Sequence, residues 1–276
     1  MQIHVAHSPD SDDAFMFYAL ATGKIDTEGL TYVHELQDIE TLNQRALRAE
    51  LEVTAVSIHA YAHLADRYAL LPHGSSMGDR YGPRLVALRP YDRQSIKGKR
   101  IAIPGPLTTA YLALRLYQPD FVAVSTPFDQ IEAAVNSGSV DLGLLIHEGQ
   151  LTYAADGFTL VQDMGEWWFS ETGLPLPLGG NVVRKDLGPD LMKKISRHLR
   201  ASIEYALVHR EAALDHAMGF ARGLERSKAD TFVGMYVNDW TLDYGDRGRQ
   251  AVRLLLERGV DAGIIPKPVN VEFVSD

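Results

Sequence analysis

A chain of 276 residues with 46% apolar and 23% charged side chains, 13 prolines and 23 glycines has a globular composition, which excludes disordered and collagen-like chains. At that length roughly 75% of the unfolded surface is buried on folding, so no metal or disulfide staple is needed, and about 150 residues per domain suggests two domains or two lobes. The 36 acidic and 27 basic residues leave a formal charge of −9, which argues against nucleic acid as a partner.

Short β-rich runs alternate with amphipathic segments along the chain, the pattern of an α/β protein with parallel strands and crossover helices. A first strand is predicted at 2–6. Asp10 and Ser11 then cap a helix with Asp12 and Asp13 in its first turn and Phe15, Phe17, Tyr18 and Leu20 in its body, ending at Gly23. A helix beginning near Asp38 precedes strands at 52–58 and 84–88. Strands at 100–103 and 121–124 lead into helices beginning near Thr108 and Pro127, and strands at 140–146, 159–162 and 178–183 follow. Beyond Leu187 the chain reads as almost wholly helical, with starts near Pro189, Ser227 and Gly245. The proline-punctuated segments 88–92 and 174–178 read as two crossings between lobes. They predict a smaller lobe over 89–177 inserted into a discontinuous larger lobe, 1–88 and 178–276, with a ligand cleft between the two.

Ligands of open α/β sheets sit beyond the carboxyl ends of strands, which singles out the residues that follow each run. These are His7 and Ser8, Ser57 and His59, Gly105 to Thr109, Ser125 and Thr126, and His147 and Glu148. The turn Pro104-Gly105-Pro106-Leu107 opens a helix at Thr108 and Thr109, where free N–H groups, the helix dipole and two hydroxyls suit a carboxylate; plain capping by Thr108 is the competing reading. His147 follows the apolar run Val140 to Ile146, so its imidazole should emerge at a buried strand's end, where a base of pKa near 7 is useful. Asp10, Asp12 and Asp13 suit hydroxyl binding, cation binding or dipole compensation. Trp167 and Trp168 offer stacking area at the lobe edge or plain packing.

Several motifs fail on inspection. His147-Glu148 lacks the second histidine of a zinc helix, because Leu151 stands there. His59 and His63 have no third ligand suggested. Gly74-Ser75-Ser76-Met77-Gly78 matches a nucleophile elbow in letters, but Asp79 to Pro83 do not begin the helix it requires. No Walker loop or dinucleotide fingerprint occurs, and the absence of cysteine removes disulfides, thiolate zinc sites and cysteine nucleophiles. No metal-ligand or cofactor-binding motif is found in the sequence. No apolar stretch approaches the roughly 20 residues that span a bilayer. The N-terminal residues show no signal-peptide pattern, so a cytoplasmic protein is expected.

With these residues in view, the chain resembles the 1,4-dihydroxy-6-naphthoate synthase family of menaquinone biosynthesis by the futalosine pathway. The resemblance runs the full length. It rests on Ser8-Pro9 with Asp13-Ala14-Phe15-Met16-Phe17-Tyr18, on Asp38-Ile39-Glu40-Thr41-Leu42-Asn43, and on Thr108-Thr109-Ala110-Tyr111. It continues through Ile146-His147-Glu148, Trp167-Trp168 and Thr172-Gly173-Leu174-Pro175-Leu176-Pro177-Leu178-Gly179. It implies a two-lobed periplasmic-binding-protein-like (type II) fold. The implied enzyme is a cofactor-independent lyase that converts cyclic dehypoxanthine futalosine, a small anionic substrate, to 1,4-dihydroxy-6-naphthoate. His147 would be the base, with Ser57, Thr108 and Thr109 lining the pocket. Asp10 or Asp12, in the first loop, would hydrogen-bond the substrate's hydroxyls, and Ser8 beside them would also bind the substrate. That loop departs from the family: Ser8-Pro9-Asp10-Ser11-Asp12-Asp13 stands where Ser-Pro-Cys-Pro-Asn-Asp is common. The alternatives are a solute-binding protein, a cytosolic metabolite sensor and an enzyme like chorismate dehydratase, whose Tyr-Leu-Asn-type first loop is not found here.

Overall fold

The computed structural model describes residues 1–221 and 223–275. Among the described residues eleven strands form two sheets. In chain order they are β1 (Gln2–His7), β2 (Thr31–Leu36), β3 (Val53–Ser57), β4 (Tyr68–Leu70), β5 (Ser76–Gly78), β6 (Arg84–Ala87), β7 (Arg100–Ile103), β8 (Val122–Ser125), β9 (Leu142–Leu145), β10 (Thr159–Asp163) and β11 (Leu176–Arg184). The first sheet has the order β2-β1-β3-β11-β4, with β5 paired to β11; the second has the order β10-β6-β9-β7-β8. Central strands carry the most continuous apolar runs. Every residue of β3 and of β9 is buried, as expected for strands covered on both faces.

Both sheets are mixed rather than purely parallel. β1 runs parallel to β2 and β3, and β7 runs parallel to β8 and β9. β11 is antiparallel to β3, and β6 is antiparallel to β9 and β10. The antiparallel strands β6 and β11 are those the chain enters as it passes between sheets. This corrects the expected boundary at residue 88. Because β6 is hydrogen-bonded within the second sheet, the outward crossing falls at 79–83, and the segment after β6 is surface chain with Leu88 exposed. The return follows the helix Met164–Thr172, which Gly173 ends in the left-handed conformation at φ 69°.

Three strands have no counterpart in the sequence reading. β2 is a half-exposed edge strand carrying His34 and Glu35, while β4 and β5 are three residues each, too short to display a period of two. β5 occupies the Gly74–Gly78 stretch, so the false elbow is an edge strand.

The first predicted helix is two pieces, Ser11–Met16 and Tyr18–Ala21, broken at Phe17. Ser202, on the long helix Pro189–Val208, explains the break. Its hydroxyl donates to Met16 O at 2.9 Å and accepts from Leu20 N at 3.3 Å, so it is inserted into the helical ladder. That long helix buries Met192, Ile195, Leu199, Ile203 and Ala206 at helical spacing against Phe15 and Leu20. The main core does not stop at the lobe boundary. Val56, Tyr61 and Leu70 of the first lobe share one apolar cluster with Leu85, Ile101 and Trp168 of the second, and Leu255 and Leu256 of the helix Gly245–Asp261 join it. Trp168 is fully buried there, donating Nε1–H to Pro175 O at 3.1 Å, so it packs the return crossing. Among the described residues no helix is long and apolar enough to cross a membrane.

Candidate functional site

The carboxyl ends of β1, β3, β7 and β9 converge on a cavity enclosing about 770 Å³ of empty space, part of it open to solvent. Ser8, Asp10, Asp12, Ser57, Thr108, Thr109 and His147 all lie on its wall, so the strand-end reasoning brings the named residues together. Ser125 and Thr126 are not on that wall. Apolar faces come from Ile39, Val56, Pro83, Ile146, Leu178 and Phe232, which suits a ligand with a substantial apolar surface.

His147 follows the buried strand β9 and adopts φ 57°. A left-handed backbone on a residue with a Cβ costs about 1–3 kcal/mol and persists only where its surroundings hold it. Its Nδ1 lies 2.7 Å from Asp10 Oδ2, and the Phe128 ring packs edge-on at 4.6 Å. The other ring nitrogen, Nε2, is buried with no hydrogen-bond partner. Burial pulls the imidazole's pKa down. The charge of Asp10 and its hydrogen bond, helped by Glu148 and Asp12, more than offset this, so the pKa lies above the ordinary 6.5.

The first loop is ordered by its own carboxylates. Asp13 Oδ2 accepts from Ser8 N at 2.7 Å, and the Ser8 hydroxyl donates to Asp10. Burial, then the charge of Asp10, pushes the Asp13 carboxyl up to about 7 against the Ser8 amide. Asp12 is raised well above the carboxylate range by burial and then by Asp13, Asp10 and Glu148. Dipole compensation by three ionised acids is therefore not what this loop does near neutral pH. Asp10 lies on the cavity wall and has Oδ2 against His147.

The threonine turn also differs from expectation. Thr108 caps the helix Thr109–Tyr117, accepting from Tyr111 N at 3.3 Å, and its single hydroxyl proton goes to Gly105 O at 2.8 Å. The Thr109 hydroxyl donates to Leu178 O at 2.6 Å and accepts from His59 N at 3.2 Å. An anionic oxygen needs a donor, and both protons are spent inside the protein. What the turn offers is backbone: the N–H groups of Thr109 and Ala110, both on the cavity wall, have no acceptor one turn back. Ser57 retains more freedom, because Asn43 holds it by donating Nδ2–H to its oxygen at 3.1 Å and accepting its N–H at 2.9 Å.

Asn181, Gln150 and Tyr236 complete the polar lining, and sequence reasoning missed them. Asn181 donates to Gly74 O at 3.0 Å, leaving Oδ1 buried without a partner. A Cβ on Gly74 would stand 2.3 Å from Asn181 Nδ2, so glycine is required at that turn. Tyr236 donates to Gln150 Oε1 at 2.7 Å, tying the helix Arg226–Tyr236 to the short helix Gly149–Thr152 after β9. One signal existed: Asn181 is the polar residue inside an otherwise apolar strand. Tyr236 and Phe232, four residues apart, read simply as a core-facing helix. His59 sits behind the wall, its Nδ1 3.3 Å from Thr108 O, and burial lowers its pKa to about 4. Among the described residues no group of three or more His, Asp or Glu is arranged to hold a metal ion.

Two α/β lobes joined by paired crossings, with a cavity at their strand ends, define the periplasmic-binding-protein-like class. The ligand-binding component of an ABC-type import system from Staphylococcus aureus, crystallised with zinc bound, has that fold. It superposes with a TM-score of 0.71 over 100% of this chain and 96% of its own, at 12% identity. A protein of Archaeoglobus fulgidus is far nearer, with a TM-score of 0.92 and 48% identity over 96% of this chain and 98% of its own. The family model described as menaquinone biosynthesis matches residues 3–261. A 1,4-dihydroxy-6-naphthoate synthase of Thermus thermophilus is 40% identical over 98% of this chain and 99% of its own length. The chain belongs to this menaquinone-biosynthesis family.

Proposed function

We propose that this chain is a cytoplasmic 1,4-dihydroxy-6-naphthoate synthase. It cleaves cyclic dehypoxanthine futalosine to 1,4-dihydroxy-6-naphthoate and a small dihydroxy fragment, with His147 as general base. The observation that carries the reading is the buried, unpartnered Nε2 of an imidazole on the wall of a largely apolar cavity. A base needs a bare acceptor within reach of the proton it takes.

In this reading the substrate's ring system lies against Ile39, Ile146, Leu178 and Phe232. Its carboxylate or a ring carbonyl faces the N–H groups of Thr109 and Ala110. Nε2 removes a proton, a carbon–carbon bond of the spiro system breaks, and the released ring becomes aromatic. Ser57 and Asn181 Oδ1 meet the hydroxyls of the departing fragment. Raised pKa values at Asp12 and Asp13 keep negative charge near the anionic substrate low.

Incubation of the purified chain with cyclic dehypoxanthine futalosine should yield the naphthoate, seen by absorbance and mass. His147→Asn should lose about 10²- to 10⁴-fold in kcat with substrate binding kept. No product from the native chain contradicts the assignment, and near-native turnover by the variant contradicts the role of His147.

A further inference from the structure

The loop after β1 and the loop after β9 belong to different sheets, and a charged contact joins them. Asp10 is 1% exposed and stands at the N-cap of the helix Ser11–Met16, yet its side chain makes no capping hydrogen bond. Its carboxylate turns instead to Nδ1 of His147 at 2.7 Å and accepts the Ser8 hydroxyl. On the facing loop His147 has a left-handed backbone, and the Phe128 ring, from the turn after β8, packs edge-on against the imidazole.

We propose that Asp10 is a positioning residue for His147. It accepts the Nδ1 proton, fixing the tautomer in which Nε2 is the bare acceptor at the cavity, and it balances the imidazolium formed when Nε2 takes a proton. No proton passes to Asp10. The substrate's proton stays on Nε2 until it is returned to product or water, and the electron pair it leaves behind drives the bond cleavage. The role rests on the reading of His147 as the base. The other charged or titratable groups around this pair are His7, Asp12 and Asp13 at the first loop, Glu148 beside the histidine, and Tyr236 beyond Gln150. None of them has a hydrogen bond to the imidazole. The direction of the imidazole's shift agrees with the geometry, since the charge and hydrogen bond of Asp10 are the main effects opposing burial.

The test uses the full chain and two readouts. Nitrogen NMR of the histidines, with His147 assigned by the loss of its signal in His147→Asn, reports the tautomer and the titration midpoint. The pH profile of kcat/KM reports the working base. In Asp10→Asn the His147 midpoint should fall by about 1–3 units. The acidic limb of kcat/KM should fall with it, and the upper plateau should drop about 10²-fold as orientation is lost. Asp10→Glu should recover part of the midpoint. Should Asp10→Asn not fold, Asp10→Ser is measured in the same way. An unmoved His147 midpoint overturns the proposal while leaving the base reading intact. A moved midpoint with an unmoved rate overturns the base reading and this role with it.

Discussion

At the end of β9 the His147 imidazole keeps Nε2 without a partner, whereas at the end of β7 the Thr108 and Thr109 hydroxyls have both spent their protons on carbonyls of the protein. In the sequence the two strand ends carry similar promise, each a polar group after an apolar run. The difference lies in what each group has left to give. A hydroxyl owns one proton, and once it is committed to Gly105 O or Leu178 O the side chain serves the fold. An imidazole has two nitrogens, so engaging one with Asp10 fixes the other for chemistry.

The comparison is sharpened most by removing acceptors on the cavity wall. Asn181→Leu takes away the unpartnered Oδ1 and should raise KM about 10-fold, the worth of one hydrogen bond to a ligand hydroxyl. Steady-state kinetics check this, and an unchanged KM places the substrate's hydroxyls elsewhere. It also leaves Gly74 O without its donor, so a loss of about 1–3 kcal/mol in denaturant stability should accompany it. Thr108→Val is expected to be milder and of a different kind. It removes a helix cap and should cost about 1 kcal/mol of stability while kcat stays within about threefold. A kcat loss comparable to that of His147→Asn breaks the distinction between the two strand ends.

The smallest effect concerns pH. The Asp13 carboxyl is pushed up to about 7 by burial and by Asp10, above its ordinary 3.8. A raised acid contributes stability that is complete below its unfolded pKa and is lost as pH rises through the folded one. The His147 pKa is also raised, so its contribution fades above 6.5 in the same sense. Stability should therefore decline between about pH 4 and pH 7. Asp13→Asn keeps an acceptor for Ser8 N and should gain about 2–4 °C in melting temperature at pH 8, with little gain at pH 4. Equal gains at both pH values remove the link to Asp13.

Much of the architecture could be read from the residues. All eight predicted strands are present, and the helices near Asp38, Thr108, Pro189, Ser227 and Gly245 begin within a residue or so of those positions. Most are apolar or amphipathic runs, and Asp38 and Thr108 cap the helices they head. The lobe boundary was not legible, because 84–88 shows a strand without showing which sheet pairs with it. The break at Phe17 was hidden as well, since it depends on a serine 186 residues beyond Met16. The same limit explains the site. His147 was accessible from its place after β9, but its partner Asp10 lies about half the chain earlier, and only folding brings the two loops into contact.

The most direct measurement is a crystal structure of His147→Asn with cyclic dehypoxanthine futalosine bound. The carbon that loses its proton should lie within about 3–3.5 Å of the position vacated by Nε2. The ligand's carboxylate or carbonyl should meet the amides of Thr109 and Ala110. A substrate seated with that carbon turned away from residue 147 contradicts the central claim.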